Sequence, residues 1–121
     1  MLFRSSPYHA QNTFISIGKT VQHAGFLHVE QYHANVPSFG EWGWTIATKN
    51  GKSARQRLQA LKTVPLEDGW MTRGVLLAAF EFGSDFYKER ETIQINRLGS
   101  MVAYQYHHAD WQQEVGLMSL E

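Results

Sequence analysis

The sequence predicts an α/β fold in which one long helix is followed by an antiparallel hairpin and then by several short helices. Three observations carry this prediction. They are an apolar stripe with helical spacing, two strand-like segments joined by a short loop, and later residues that can cap short helices. The chain has 121 residues, which suits a single domain.

The first helix is predicted from Pro7 to Ala24. Ser6 suits the N-cap and Pro7 the first helical position. Gly25 can end the helix in a left-handed conformation. Apolar residues recur at alternating spacings of four and three: Ala10, Phe14, Ile17, Val21 and Ala24. The stub Met1 to Phe3, which precedes this helix, is too short for a normal central strand, so the hairpin is expected to be the one clear sheet element.

The hairpin is predicted from two segments of strand-like composition, Phe26 to Asn35 and Trp42 to Thr48. In the second segment Trp42, Trp44 and Ile46 share one face, and small residues share the other. The loop between the segments, Val36 to Glu41, is short, which favours antiparallel pairing.

Two further helices are predicted from capping residues. Ser53 can cap a helix whose inner face holds Ala54, Leu58 and Leu61, and Pro65 would end it. Thr72 can cap another with an apolar stripe, and Gly83 would end that one. Its stripe comprises Val75, Leu76, Ala79 and Phe80. Residues 84–100 give no clear pattern. A last helix is expected around Tyr104, Tyr106 and Trp111, whose aromatic rings are interpreted as packing residues.

The composition argues against several classes of function. Lys plus Arg and Asp plus Glu number 11 each, so the chain lacks the basic excess typical of nucleic-acid binders. It has no cysteine, which fits a reducing cytoplasm and excludes a thiolate metal site. Its six histidines show no metal-binding spacing, so no metal is expected. No apolar run approaches the length of about 20 residues that a membrane helix needs.

The segment VPSFGEWGW, Val36 to Trp44, places three aromatics and one carboxylate in the hairpin loop and at the start of the strand that follows it. Connecting loops are usually polar, so this composition suggests a binding surface around Glu41. The alternative interpretation is that these aromatics only pack against the hairpin.

Three segments carry a family resemblance: SSPYHAQNTFISIGKTVQHAG, YHANVPSFGEWGWTIAT, and INRLGSMVAYQY with Trp111 downstream. Together they resemble the C-terminal region of polyamine aminopropyltransferases, the spermidine synthase-like family. The resemblance is best to the long bacterial forms, in which a membrane domain precedes the enzyme domain.

The resemblance implies the C-terminal part of a Rossmann-like, methyltransferase-type domain. Residues 1–48 would be the end of the core, with the helix and the terminal antiparallel hairpin, and residues 49–121 a C-terminal helical extension. The complete domain would include an upstream part. In this family an aminopropyl group passes from decarboxylated S-adenosylmethionine, a co-substrate, to an amine such as putrescine. No metal or other cofactor is implied for this chain.

The resemblance also implies site residues. Phe39 falls where many relatives have tyrosine, and with Glu41 and Trp42 it would line the amine pocket. Tyr8 and His9, at the start of the first helix, would face the ligand cleft. An aromatic and carboxylate wall suits a polyamine, whose methylenes need apolar cover and whose ammonium groups are attracted to negative charge and π faces.

The family's nucleotide site and catalytic aspartates have no counterpart in this chain, so no catalytic residue is assigned and the chain alone is expected to be inactive. The expected location is the cytoplasm, with a parent protein that an upstream domain could anchor to a membrane. Two alternatives stay open. The chain could be a non-catalytic module that forms a homo-oligomer through the hairpin edge, or a polyamine-binding protein without chemistry.

Overall fold

The structure, a computed structural model, describes residues 2–65 and 69–118. Strands and helices alternate at first, and helices follow. The elements are β1 (Leu2–Ser5), α1 (Gln11–His23), β2 (His28–Val36), β3 (Gly40–Thr48), α2 (Ala54–Ala60), α3 (Arg73–Ala78), a 3₁₀ turn (Arg90–Thr92) and α4 (Val102–Met118). The predicted α/β class, the helix–hairpin order and the helical final segment are therefore confirmed.

The described strands form one three-stranded sheet in the order β1-β3-β2, with both pairs antiparallel. The β2–β3 hairpin was predicted, but the expectation that it is the one clear sheet element was wrong, because the N-terminal residues add a third strand. Leu2 to Ser5 pair with Ile46 to Gly43, so β3 has a partner on each side. A strand of four residues is sufficient here because β3 supplies a complete backbone edge for it. Met1 lies outside the described residues.

Helix α1 lies against the face of β3 that carries small residues. Gly43, Thr45 and Ala47 are buried on this face, and an added Cβ at Gly43 would lie 2.5 Å from Phe14 Cε2. Small residues on the strand thus allow the helix to approach the sheet closely. On the other face, Tyr32 stacks on Trp44 with ring centroids 5.4 Å apart.

The predicted start of the first helix was wrong by one turn. Residues 6–10 form a turn, in which the His9 N–H donates to Ser6 Oγ over 3.2 Å, and α1 begins at Gln11 with Ala10 as its N-cap. Ser6 therefore caps the preceding turn rather than the helix. The predicted end is confirmed, because α1 stops at His23 and Gly25 follows with φ of 92°.

Both short helices begin at the predicted caps and end earlier than expected. Ser53 forms a capping box with Gln56, and Thr72 accepts a hydrogen bond from the Val75 N–H. Helix α2 ends at Ala60 rather than near Pro65, and α3 ends at Ala78 rather than at Gly83.

The segment from Ala79 to Asn96 completes the fold by covering the sheet edge and α1. The His33 N–H donates to the Ala79 carbonyl over 2.9 Å, which occupies part of the outer edge of β2. The Lys19 ammonium donates to the Ile93 carbonyl over 2.6 Å. A buried cluster forms between this segment and α1, and it comprises Phe14, Ile15, Phe86 and Ile93. No helix in the described ranges is long and apolar enough to cross a bilayer.

Candidate functional site

A pocket of about 470 Å³ opens between the hairpin turn, the start of α1 and the middle of α4. Its volume falls in the range of about 300–1,000 Å³ typical of small-molecule sites. Three elements that are distant in sequence therefore meet at one concave surface. The lining residues are Ser6, His9, Ala10, Thr13, Ile17, Phe39, Glu41, Trp42, His107 and Trp111.

Four of the five site residues predicted from the sequence line this pocket, namely His9, Phe39, Glu41 and Trp42. Tyr8 does not. Its ring lies edge-on to Phe86 and to the His33 ring, with centroids 5.7 and 5.9 Å away, beside a separate shallow pocket. Residues 6–10 form a turn rather than the first turn of the helix, and the assignment of Tyr8 to the ligand cleft stays a prediction.

The hairpin turn presents its aromatics at the rim of the pocket. The Phe39 N–H donates to the Val36 carbonyl over 2.9 Å, and Ser38 and Gly40 adopt left-handed φ values of 68° and 81°. This turn leaves the Phe39 side chain 75% exposed. The Trp42 indole N–H donates to the Phe39 carbonyl over 3.2 Å, so Trp42 is fixed against the turn.

Glu41 supplies the carboxylate of the pocket, and its Oε1 contacts His33 Nδ1. The other ring nitrogen, His33 Nε2, lies 2.7 Å from the Glu81 carbonyl. Because residues 33 and 43 are cross-strand partners, His33 and Glu41 lie diagonally across the hairpin on one face. His33 was missed in the sequence, where it was considered only as a metal ligand; its position opposite the VPSFGEWGW turn was the available signal.

Helix α4 supplies the wall facing the hairpin through His107 and Trp111. Trp111 was predicted to be a packing residue, yet it is 55% exposed at the pocket. Thr13, on α1, is only 7% exposed, and its hydroxyl has no hydrogen-bond partner among the described residues. It is a buried polar group at the pocket lining, where a ligand atom could satisfy it.

Asp110 joins α4 to the start of α1 beneath this wall. The Thr13 backbone N–H hydrogen-bonds to its carboxyl group, as a capping side chain would. Burial raises the pKa of Asp110, while the nearby His107 and the Thr13 N–H act in the opposite direction. Asp110 therefore connects the two helices from which two walls of the pocket arise.

The arrangement suits an elongated cation with an apolar body. One carboxylate lies among aromatic rings, the two histidines His9 and His107 add polar contacts, and Thr13 offers a hydroxyl. Within residues 2–65 and 69–118, no three His, Asp or Glu side chains are grouped as metal ligands.

Comparisons with known proteins give one consistent family. The chain is 52% identical over 113 residues to a polyamine aminopropyltransferase of Shewanella oneidensis. The aligned residues make up 93% of this chain and 20% of that protein. It is 32% identical over 102 residues to polyamine aminopropyltransferase 2 of Bacillus cereus, covering 84% of this chain and 27% of that protein. Polyamine aminopropyltransferase 1 of Streptomyces coelicolor is 32% identical over 111 residues, or 92% of this chain.

No family model and no solved structure matches the chain. The chain spans about a fifth to a quarter of the length of these curated relatives, 20% and 27% in the first two. The family resemblance found in the sequence is confirmed: by sequence, the chain belongs with the spermidine synthase-like polyamine aminopropyltransferases.

Proposed function

We propose that this chain, a part of a spermidine synthase-like aminopropyltransferase, forms one side of the amine pocket of the complete enzyme. The observation that carries the proposal is the position of Glu41, which lines a pocket of about 470 Å³ together with Phe39 and Trp42. The carboxylate would attract an ammonium group of a polyamine, and the aromatic rings would cover its methylenes.

In the complete reaction, an amine nitrogen attacks the carbon next to the sulfonium of decarboxylated S-adenosylmethionine. A C–N bond forms, the C–S bond breaks, and the nitrogen loses a proton. The attacking amine must be neutral and aligned with the C–S bond, while the remaining ammonium group can be held by a carboxylate. Glu41 is suited to that second task. The nucleotide site and the catalytic acids would come from parts of the enzyme that this chain does not span.

The sheet supports placing this chain at the end of a Rossmann-like, methyltransferase-type domain. The antiparallel β2–β3 hairpin follows α1, which is the arrangement that the resemblance implies for the end of that fold. Strand β1 lies on the far side of β3, and its outer edge has no strand partner in the part of the chain that the structure describes. That edge is where the upstream sheet of the domain would continue.

Calorimetric titration with spermidine tests the proposal directly. We expect binding by the chain, and Glu41→Gln should weaken it by about tenfold, since a charge-assisted contact is replaced by a neutral one. Glu89→Gln is the matched control, because Glu89 is exposed and lies outside this pocket. Spermidine binding that is equally strong in Glu41→Gln would contradict the role of Glu41.

An activity assay tests the second part of the proposal, that the nucleotide site and the catalytic acids are not supplied by this chain. The purified chain, mixed with putrescine and decarboxylated S-adenosylmethionine, should give no aminopropyl transfer. Turnover by the chain alone would show that its site is complete. It would overturn the proposal that the nucleotide site and the catalytic acids come from other parts of the enzyme.

Self-association, expected from the sequence through the hairpin edge, is the second candidate. Strand β3 is paired with β1, and His33 on β2 is bound to the Ala79 carbonyl, so the outer edge of β1, which is unpaired in the described residues, is the edge that favours it. In this case a second copy would occupy that edge. Sedimentation over a range of concentrations separates the two cases, since a strictly monomeric profile at high concentration would eliminate the homo-oligomer.

A further inference from the structure

A second pocket, of about 310 Å³, opens at the outer edge of β2. It shares no lining residue with the pocket around Glu41, so the two are separate sites. Four parts of the chain meet there, namely α1, β2, the start of α2 and the segment from Ala79 to Asn96. Its volume lies at the lower end of the range of about 300–1,000 Å³ for small-molecule sites, which suits a ligand of amino-acid size.

The edge of β2 presents unpaired backbone groups to this second pocket. In an antiparallel pair, alternate residues direct both N–H and C=O away from the partner strand. His33 is one of these residues, because its N–H donates to the Ala79 carbonyl. The β2–β3 register has no bulge, so Gln31 and Val29 follow the same alternation and line the pocket. Within the described ranges, no hydrogen bond from another residue reaches the backbone N–H or C=O of Val29 or Gln31.

Arg90 supplies a positive charge beside this edge. Its guanidinium donates to Gln22 Oε1 over 2.6 Å, which is a neutral partner and occupies one of its five N–H groups. The carboxylate of Glu91 lies 3.8 Å from Arg90 Nη1, but the Glu91 side chain is 91% exposed, so solvent screens that pair. Arg90 therefore keeps both charge and hydrogen-bond donors for a ligand.

The other charged groups of the pocket lie on the side of α2 and are already bound. Both carboxylate oxygens of Glu30 accept hydrogen bonds over 3.0 Å, one from Ser53 Oγ and one from the Arg55 N–H. The Arg55 guanidinium forms an ion pair with Glu81. Arg90, by contrast, is bonded to α1. The strand edge thus lies between a satisfied carboxylate on one side and an available guanidinium on the other.

We propose that this second pocket binds a small ligand that carries a carboxylate next to an amide, with Arg90 holding the carboxylate and the edge of β2 pairing with the amide. Hydrogen bonds between a guanidinium and a carboxylate are charge-assisted. An amide has one donor and one acceptor, so it can continue the sheet as an added strand does. Phe80 and Phe82 line the pocket and offer apolar cover to the rest of the ligand.

The C-terminal residue of a peptide and a free N-acyl amino acid share this chemistry. The exposed edge is short, because the next outward-facing residue, His33, is already bonded to Ala79. The pocket therefore has room for one or two ligand residues rather than for a long strand. The site takes an anion, so it goes beyond the proposed amine pocket and does not depend on it.

NMR titration of the ¹⁵N-labelled chain with N-acetyl-leucine tests the proposal. The backbone N–H signals of Val29 and Gln31 should shift and saturate, while the N–H of His33, already bonded, serves as the internal reference on the same strand. N-acetyl-leucinamide, which has the amide but no carboxylate, should bind about tenfold more weakly. Equal affinities for the two ligands, or no saturable shift at Val29 and Gln31, would overturn the proposal.

Variants of Arg90 test the anchor itself. Arg90→Gln should weaken N-acetyl-leucine binding by about tenfold, because a neutral amide replaces the charged fork. Arg97→Gln is the matched control, since Arg97 is exposed and does not line this pocket, and its affinity should equal that of wild type. Unchanged binding in Arg90→Gln would refute the role of Arg90. If Arg90→Gln does not fold, the comparison of the two ligands on the wild-type chain still decides.

A longer ligand identifies the source of the carboxylate. N-acetyl-glycyl-glycyl-leucine adds two residues upstream of the same C-terminal group. Binding about tenfold tighter than that of N-acetyl-leucine would assign the site to a peptide C-terminus, and equal binding would assign it to a free small ligand. Both results support capture of the carboxylate. A peptide that fails to bind where N-acetyl-leucine does would rule out the peptide C-terminus.

Discussion

Phe14 on α1 packs over Gly43 on β3 so closely that there is no space for a methyl group between them. An added Cβ at Gly43 would lie 2.5 Å from Phe14 Cε2 and 3.0 Å from Cδ2. Phe14 is 1% exposed, so its ring has no solvent side into which it could move. This contact sets the distance between α1 and the sheet, and α1 in turn provides one wall of the pocket.

Gly43→Ala should therefore destabilise the chain by about 1–3 kcal/mol, the usual cost of inserting a methyl group into a filled core. Urea denaturation followed by circular dichroism measures this change. Gly83→Ala is the matched control, because an added Cβ there meets no atom within 4 Å. If both variants unfold at the same urea concentration, the close packing of α1 on β3 is contradicted.

The elements that could be predicted from the sequence are those whose determining residues lie next to them in the chain. Ser53 and Thr72 lie next to the helices they cap, and both caps are present. By contrast, β1 depends on pairing with residues 43–46, about 40 positions away in the sequence, which no pattern within residues 2–5 could reveal. The start of α1 was misplaced because Ser6-Pro7 suits a turn as well as a helix N-terminus.

The same distinction holds for the residues of the pocket: those close together in sequence could be predicted, and those brought there by distant contacts could not. Phe39, Glu41 and Trp42 are adjacent in sequence, so their shared location followed from one motif. Trp111 reaches the pocket only because α4 packs on α1, a contact that depends on the ordering of residues 84–100. That segment has no periodic pattern, and its order comes from distant contacts such as that between Lys19 and the Ile93 carbonyl.

Tyr87 and Gln31 form a partly buried polar contact that should contribute measurably to stability. The Tyr87 hydroxyl donates to Gln31 Oε1 over 3.0 Å, and burial raises the pKa of Tyr87, so it remains a donor at neutral pH. Tyr87→Phe leaves Gln31 Oε1 without this donor, and we expect a loss of about 1–3 kcal/mol in the free energy of unfolding. Tyr32→Phe is the matched control, since the described contacts of Tyr32 are ring contacts with Trp44 and Phe80. Equal effects of the two substitutions would contradict the role of this hydrogen bond.

Asp110 should make stability depend on pH. Burial raises its pKa in the folded chain, so the folded state binds the proton more tightly than the unfolded state does. The contribution of Asp110 is therefore most favourable at low pH. It declines as the pH rises from the ordinary pKa of 3.8 through the raised folded value, and it is constant above that.

Asp110→Asn should remove this contribution while keeping an oxygen that accepts from the Thr13 N–H. The free energy of unfolding, measured for both proteins at a series of pH values, isolates the effect as a difference between two curves. We expect the variant to gain stability relative to wild type as the pH rises through the window. Two parallel curves would show that Asp110 does not titrate differently in the folded state.

Thr13 should link the stability of the chain to ligand binding. Its hydroxyl is buried at the pocket without a partner among the described residues, which costs free energy in the unliganded chain. Thr13→Val keeps the shape and removes the hydroxyl, so it should stabilise the chain by about 1 kcal/mol. If the hydroxyl contacts the bound amine, the same substitution should weaken spermidine binding by about threefold to tenfold.

Thr45→Val is the matched comparison, because Thr45 is also buried but its hydroxyl accepts a hydrogen bond from Gln31 Nε2 over 2.9 Å. Removing that acceptor should destabilise the chain by about 1–3 kcal/mol, the opposite sign to Thr13→Val. Thermal unfolding and calorimetry on the two variants give both quantities. A loss of stability in Thr13→Val as large as that in Thr45→Val would mean that the Thr13 hydroxyl is already satisfied in the free chain and is not held available for a ligand.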